Sequence, residues 1–336
     1  MKHIFLAAVV STLVAPLISI GQNTVFNDTF NNGSTLDSAT PSAPTANSTD
    51  YDIASTKGDI TASSINPGDL TLKLNSGTTS GYWQIEALFA GTPVTLATVG
   101  DYIDLTYTFT DTGGTILANS SSSYIFTGLY NSGGSAPTYA VNANGGLTTT
   151  AGSANATGNA ANWQGYASRI SSNSTSIMYT RPVQNGAGTT SANQDLVGNN
   201  LGGGSYNNPT GAAIGSSETA SVTLTSGSQY TVSYELALTA AGTITITNSL
   251  YSGVGTGGTL VFSQTNSASG ATLLTTSFDG LAIGARQSGT STNPTMDISD
   301  IKVVDSISPV PETSTLALAG LGALGFVLNY RRRLRR

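Results

Sequence analysis

The sequence contains no cysteine and a single histidine, His3, among its 336 residues. Without cysteine there are no disulfide bonds, and thiol nucleophiles and thiolate metal ligands are excluded. His3 lies in a segment that we expect to be removed on export. The mature chain would therefore also lack the usual base of a serine triad and the usual ligand of zinc. The fold must be stabilised by the packing of its sheets or by a bound ion of another kind.

Charged residues are scarce as well, at 9% of the chain, where ordinary soluble domains have about 25%. Gly, Ser, Thr, Asn and Ala take their place, which is typical of an exported β-protein. Residues 22–306 hold 17 of the 18 acidic residues but only six of the 12 basic ones, so this part has a net charge near −11. Such acidity argues against nucleic-acid binding, which needs cations to displace phosphate counterions. It is compatible with calcium and with neutral sugars.

The N-terminus has the pattern of a signal peptide that spans residues 1–21. Lys2 supplies the positive charge, Ile4–Leu17 form the apolar segment, and the small residues Ser19 and Gly21 suit the cleavage site. A buried N-terminal helix is the alternative. A polar, Asn-rich segment follows at once, which favours export.

The C-terminus has the pattern of a membrane anchor. Residues 313–330 carry no charge, and as a helix they would be about 27 Å long, close to the ~30 Å hydrocarbon core of a bilayer. The sequence therefore predicts a single transmembrane helix over about residues 314–330. A stop-transfer cluster in the basic tail, residues 331–336, would stay in the cytoplasm; it consists of Arg331, Arg332, Arg333, Arg335 and Arg336. A nucleic-acid-binding tail is the alternative, disfavoured because the arginines directly follow the apolar segment.

Together with Val310, Pro311 and Glu312, this order of motif, apolar helix and arginine cluster resembles a PEP-CTERM sorting signal, here residues 307–336. The resemblance implies an exported bacterial protein that is recognised by an exosortase, a membrane-embedded cysteine protease, and cut near the Pro-Glu motif. It also implies a place at the cell surface or in the extracellular matrix, after transient anchoring in the inner membrane with the C-terminus cytoplasmic. Such systems accompany exopolysaccharide production. Thr313 stands where the usual motif has a second proline, so a permanent anchor is the alternative.

The body of the chain, residues 22–306, repeatedly alternates apolar and polar residues with the period of a β-strand. Turn signals rich in Gly, Asn and Ser separate these segments. Strands with one apolar face bury it when two sheets pack together, so the sequence predicts an all-β sandwich. The clearest inward-facing sets are Trp83, Ile85, Ala87 and Phe89; Ile103, Leu105, Tyr107 and Phe109; and Val232, Tyr234, Leu236 and Leu238.

The segments FDGLAIGAR and MDISDIKVVD near the end of the body, with TVFNDTFNNG at its start, resemble the closing and opening strands of concanavalin A-like and LamG-like jelly rolls. The resemblance implies a jelly-roll-like β-sandwich whose first and last strands pair. It implies no single function, because the superfamily includes lectins, glycosidases, adhesion modules and structural domains. We predict one domain over residues 22–306, with a hairpin of strands Gln164–Ile170 and Ser176–Val183. A boundary between two domains within residues 133–215 is the alternative.

Glycoside hydrolysis requires two carboxylates in one cleft, about 5 to 9.5 Å apart. The Glu-x-Asp-x-x-Glu strand motif of jelly-roll glycosidases does not occur in this sequence. A pair could still form by folding, between Glu86 and either Asp104 or Glu235. A glycan-degrading enzyme therefore stays an alternative.

Sugar binding commonly uses aromatic rings that stack on the sugar. The candidate rings are Trp83, Trp163, Tyr166 and Tyr206, with Tyr124 and Tyr130 as further possibilities. Trp163 and Tyr166 stand in a polar context that favours exposure, whereas the alternation around Trp83 favours the core.

A calcium ion would suit an acidic domain without disulfide bonds. Asp28 in the first strand and Asp297 and Asp300 in the last strand would supply carboxylates where those strands pair, and calcium is the only cofactor expected. Asp297 and Asp300 are three residues apart, on opposite faces of a regular strand, which weakens this hypothesis.

The composition and the two resemblances together indicate an exported surface protein that associates with extracellular polysaccharide or the cell envelope without catalysing a reaction. Its expected partners are an exosortase, a polysaccharide and, before processing, the membrane; nucleic acid is not expected. The alternatives are the glycan-degrading enzyme and a structural coat protein without a ligand.

Overall fold

The structure, a computed structural model, describes residues 21–31, 51–55, 60–74, 80–114, 116–117, 123–134, 162–172, 174–183, 196, 211–288 and 294–307. Residues Gln22–Ser308 form one compact unit. A second unit comprises Met1–Gly21 and Pro309–Arg336, of which only Gly21 is described. Both predicted targeting segments and Tyr206 thus lie outside the described residues. Within the described ranges, no helix has the length and hydropathy needed to cross a bilayer.

The described body consists almost entirely of β-strands. A single turn of 3-10 helix, Gly270–Thr272, follows the fourteenth strand. In chain order the strands are β1 (Asn23–Asp28), β2 (Asp52–Ser55), β3 (Ile60–Asn66), β4 (Asp69–Leu74), β5 (Ser80–Leu88), β6 (Val94–Thr95), β7 (Tyr102–Thr112), β8 (Tyr124–Asn131), β9 (Gln164–Ser171), β10 (Ser174–Arg181), β11 (Ala213–Ala220), β12 (Gln229–Ala240), β13 (Thr243–Ser252), β14 (Thr259–Ser269), β15 (Ser277–Phe278), β16 (Gly280–Ser288) and β17 (Thr295–Ser306).

Two sheets account for all but the short strands β6 and β15. The eight-stranded sheet has the order β14-β13-β12-β7-β17-β4-β3, and β1 also pairs with β17. The seven-stranded sheet has the order β11-β10-β9-β8-β16-β5-β2. Neighbouring strands are antiparallel, and the chain passes repeatedly from one sheet to the other. The fold is a jelly-roll-like β-sandwich, and its first and last described strands pair as predicted.

The apolar faces of the two sheets form one hydrophobic core between them. The three sets of alternating residues predicted to face inward are all buried within it, and the cluster extends across both sheets. Burial of aliphatic and aromatic side chains is the main stabilising contribution in a fold without disulfide bonds. The predicted sandwich is therefore confirmed at the level of individual strand faces.

On β13 and β14, the outer face of the eight-stranded sheet presents hydroxyl groups where most proteins present charges. Cross-strand pairs of Ser and Thr hydroxyls hydrogen-bond to one another on β13 and β14, for example Thr247 with Thr265 at 3.2 Å and Ser249 with Ser263 at 2.9 Å. Such pairs stabilise a sheet without ionic contacts. This arrangement explains how the chain folds with so few charged residues.

A row of three polar side chains crosses the interior of the same sheet. Tyr234 is directly opposite Asn248, which is directly opposite Gln264, and all three are at most 3% exposed. The two amide groups donate to the other sheet, to Ser168 Oγ at 2.8 Å and to the backbone oxygen of Ser216 at 3.0 Å. No described residue hydrogen-bonds to the Tyr234 hydroxyl or to the Asn248 and Gln264 amide oxygens. Buried polar atoms of this kind are commonly satisfied by internal water.

Candidate functional site

Three of the six basic residues in the body are arginines, and all three lie on the outer face of the seven-stranded sheet. Arg286 on β16 is opposite Tyr124 on β8, and Arg169 on β9 is opposite Phe126 on β8. Arg181 on β10 is opposite Gly165 on β9, and Gly165 is in turn opposite Tyr130 on β8. Residues directly opposite each other on neighbouring strands share a face. We call this surface the arginine–tyrosine face.

One end of the arginine–tyrosine face is closed. The Trp163 ring packs against Tyr130, with ring centroids 6.1 Å apart, and over Gly280, where a Cβ atom would lie 2.6 Å from the indole. The Tyr130 hydroxyl donates to the backbone oxygen of Leu196 at 2.5 Å, and Leu196 N donates to Gln84 Oε1 at 3.3 Å. Tyr130, Trp163 and Leu196 belong to a second, smaller hydrophobic cluster that also includes Tyr124 and Phe126. Tyr130 and Trp163 are fully buried, so neither ring is available to a ligand at this end.

The other end of the arginine–tyrosine face is partly open. The Arg169 guanidinium lies over the Tyr124 ring at 4.6 Å and near the Tyr179 ring at 5.7 Å, and its Nε donates to the backbone oxygen of Thr175 at 3.0 Å. Arg169 and Arg286 are half-buried, whereas Tyr124 and Tyr179 are only 8% and 4% exposed. Burial raises the pKa of Tyr179, and the positive charge of Arg169 opposes this shift. The tyrosines therefore support the guanidinium, which faces outward.

The exposure expected for Trp163 and Tyr166 is wrong, since both are fully buried. Trp163 fills the space left by Gly280, as described above. Tyr166 is opposite Leu129 on the inner face, and its hydroxyl accepts from Leu274 N at 2.9 Å and donates to the backbone oxygen of Thr275 at 2.9 Å. Trp83 lies in the core, as its alternation favoured.

The alternative in which Glu86 pairs with Asp104 or Glu235 does not hold. Glu86 points outward from the seven-stranded sheet, between the inward-facing Ile85 and Ala87. Asp104 and Glu235 point outward from the eight-stranded sheet, so the whole core separates them from Glu86. A single cleft therefore cannot contain Glu86 together with Asp104 or Glu235.

Asp104 and Glu235 themselves form a close pair, because they are directly opposite each other on β7 and β12. The Ser233 hydroxyl donates to Asp104 Oδ1 at 3.0 Å. Burial, with a smaller contribution from Glu235, raises the pKa of Asp104 to about 6, and burial also raises the pKa of Glu235. We call these two residues the carboxylate pair.

The predicted calcium ligands do not come together. Asp28 is opposite Ile301 and points inward, where it accepts from Phe30 N at 2.8 Å and from the Tyr51 hydroxyl at 3.1 Å. Asp297 and Asp300 point outward from the same sheet. A bulge between Ile298 and Asp300 brings these two to one face, which a regular strand would not do. The described residues contain no group of three metal-binding side chains.

Comparison with known proteins identifies the C-terminal segment. Residues 309–333 match the PEP-CTERM protein-sorting motif. They carry Val310, Pro311 and Glu312, the apolar segment and the first three tail arginines. The chain is therefore an exported protein with a signal for exosortase processing, transiently anchored in the membrane. No curated protein sequence matches it.

Several solved structures are similar to the body. An endo-1,3-beta-glucanase from Streptomyces sioyaensis has 13% identity and a TM-score of 0.42, over 88% of this chain and 100% of that one. The exoplasmic domain of VIP36, bound to Ca2+ and Man3GlcNAc, has 12% identity and a TM-score of 0.37, over 79% of this chain and 86% of that one. A Lotus tetragonolobus seed lectin has 12% identity and a TM-score of 0.35, over 71% and 89%. At these values the similarity says nothing about the ligand of this chain.

Proposed function

We propose that this protein is an exosortase-sorted surface protein whose sandwich binds extracellular polysaccharide without cleaving it. The proposed binding surface is the open end of the arginine–tyrosine face. The observation that carries the proposal is the arrangement of Arg169 and Arg286 around Tyr124 on one face of one sheet. Guanidinium groups are planar donors that bind paired oxygens, and the neighbouring hydroxyl groups of a sugar provide such pairs.

The test is retention of the purified full-length chain, in detergent, on a panel of immobilised neutral and acidic polysaccharides. Tyr124→Leu removes the ring that supports Arg169, and we expect it to weaken retention about 3- to 30-fold, the range of a lost cation–π contact. Tyr251→Leu is the matched control, because Tyr251 is a half-buried tyrosine on β13 of the other sheet. Equal loss in both variants would contradict a site at Tyr124.

The same assay tests for catalysis through the release of reducing ends. We expect a binding module to release no reducing ends. Absence of retention on any polysaccharide would instead support the coat protein without a ligand, and would reject the proposed function.

A second candidate function is glycan hydrolysis by the carboxylate pair. The observation that favours it is the directly opposed arrangement of Asp104 and Glu235. Burial raises the pKa of Asp104 to about 6, which suits a general acid, and also raises the pKa of Glu235. Hydrolysis by this pair predicts that Glu235→Gln lowers reducing-end release by about 100-fold or more. Glu218→Gln, an exposed glutamate on β11, is the control. If wild type releases nothing, this candidate is rejected.

A further inference from the structure

We propose that the glycan bound at the arginine–tyrosine face is anionic, and that Arg169 and Arg286 bind its carboxylate groups. This inference rests on the proposed function and names the substrate class of the same site. It departs from the neutral sugar that the acidity of the body alone would suggest.

The distribution of charge within the body is the first argument. The body is strongly acidic, yet all three of its arginines lie on one face of one sheet. The two described lysines, Lys73 on β4 and Lys302 on β17, belong to the other sheet. Arg181 is buried at the closed end and donates to the backbone oxygen of Trp163, so Arg169 and Arg286 are the two half-buried arginines of the open end. A neutral sugar gains nothing from their charge that a serine or asparagine would not supply. An anionic chain gains charge-assisted hydrogen bonds, which are about twice as strong as neutral ones.

The geometry of Arg169 is the second argument. Its side chain is held by the Tyr124 ring on one side, by the Tyr179 ring nearby and by the hydrogen bond from Nε to Thr175. Among the described residues, none accepts a hydrogen bond from its two terminal nitrogens. A guanidinium that is fixed at Nε can present both terminal nitrogens to a carboxylate at little entropic cost.

The position of Arg286 is the third argument. Strand β8 lies between β16 and β9, and Arg286 is opposite Tyr124 whereas Arg169 is opposite Phe126. Their backbones are therefore two strand spacings and two residues apart, about 12 Å. Two cations at this separation, with Tyr124 between them, suit a chain that carries carboxylates on more than one sugar.

The experiment compares binding of the full-length chain to polygalacturonate and to its full methyl ester, which keeps the sugar backbone and removes the charge. We expect the ester to bind about 10- to 100-fold more weakly, the range for lost hydrogen bonds to charged groups. Arg169→Gln should weaken binding to polygalacturonate by a similar factor, and Arg169→Lys should recover part of it because the charge remains. Lys73→Gln, with the same loss of charge on the other sheet, should change nothing.

The outcomes separate this inference from the function on which it rests. Equal binding of polygalacturonate and its ester, or retention of neutral glycans only, overturns the anionic ligand and leaves polysaccharide binding intact. Binding of no glycan rejects both. Single-stranded DNA bound as tightly as polygalacturonate would show a general anion surface and overturn the assignment to a glycan. The ester comparison uses wild-type protein, so it decides even if a variant fails to fold.

Discussion

Asp111 is a buried acidic residue whose environment disfavours its charge. It lies near the C-terminal end of β7 and is fully buried. Its carboxylate accepts a hydrogen bond from Ile116 N at 3.2 Å. Burial raises the pKa of Asp111 from 3.8 to about 7, so the folded state favours the neutral acid. Folding therefore binds a proton that the unfolded chain releases.

This proton linkage predicts how stability depends on pH. Because the folded pKa of Asp111 is raised, its contribution is unchanged below about pH 4, and stability falls as the pH rises from about 4 to about 7. We expect the free energy of unfolding to drop by about 1–2 kcal/mol over this interval, less than the full shift implies because solvent screens part of it. Urea unfolding at a series of pH values measures it.

Asp111→Asn is the control for the pH series, because asparagine keeps the acceptor oxygen and does not titrate. We expect the free energy of unfolding of this variant to decrease less between about pH 4 and pH 7. The decrease that remains comes from the raised pKa of Asp104. A decrease as large as in wild type would show that Asp111 is not the cause.

At the scale of the element, β14 is the edge of the eight-stranded sheet and has no charged residue to protect it. Glu235 and Asp279 are the nearest charged residues before and after it in the sequence. Gln264 and Asn266 bond to Ser216 and so cover part of this edge with β11. The beginning of the strand keeps two exposed apolar side chains, with Leu260 54% and Val261 38% exposed.

An unprotected apolar edge invites pairing with another chain. We predict that Val261→Lys lowers self-association of the protein at high concentration, measured by light scattering, and changes stability by no more than about 0.5 kcal/mol. Val99→Lys makes the same change at an exposed position outside the strands. An equal effect of the two substitutions would indicate that added charge, not the edge, is responsible.

Strand periodicity was sufficient to predict the sandwich, because alternation reports directly on burial. The pairing of the first and last strands was predicted from the resemblance to jelly rolls. Periodicity could not locate the bulge between Ile298 and Asp300, which inserts one residue and exchanges the faces of everything beyond it. It also misplaced Trp163, whose burial depends on Gly280, more than a hundred residues away in the sequence. The arginine–tyrosine face was within reach. The predicted hairpin already contained Arg169 and Arg181. Only the strand order shows that these residues share an outward face with Arg286 and Tyr124.

At the scale of the whole molecule, the sorting motif and the sandwich have separate roles. We predict that Glu312→Ala leaves the chain uncut and anchored, because the Pro-Glu motif that directs processing is lost while the apolar segment remains. Immunoblots of membrane and extracellular fractions from the producing cell measure chain size and location. Glu218→Ala, on the exposed surface of β11, should be processed like wild type. Normal processing of Glu312→Ala would make the motif dispensable.

Strand β17 lies in the middle of the eight-stranded sheet, with β7 on one side and β4 and β1 on the other. It is also the last strand of the sandwich, and it ends five residues before Pro311. An exported chain leaves the cell N-terminus first, so the sheet lacks its central strand until secretion is nearly over. Closure of the fold and arrival of the processing signal at the membrane then take place together. We therefore expect the sandwich to close only after β17 has been translocated.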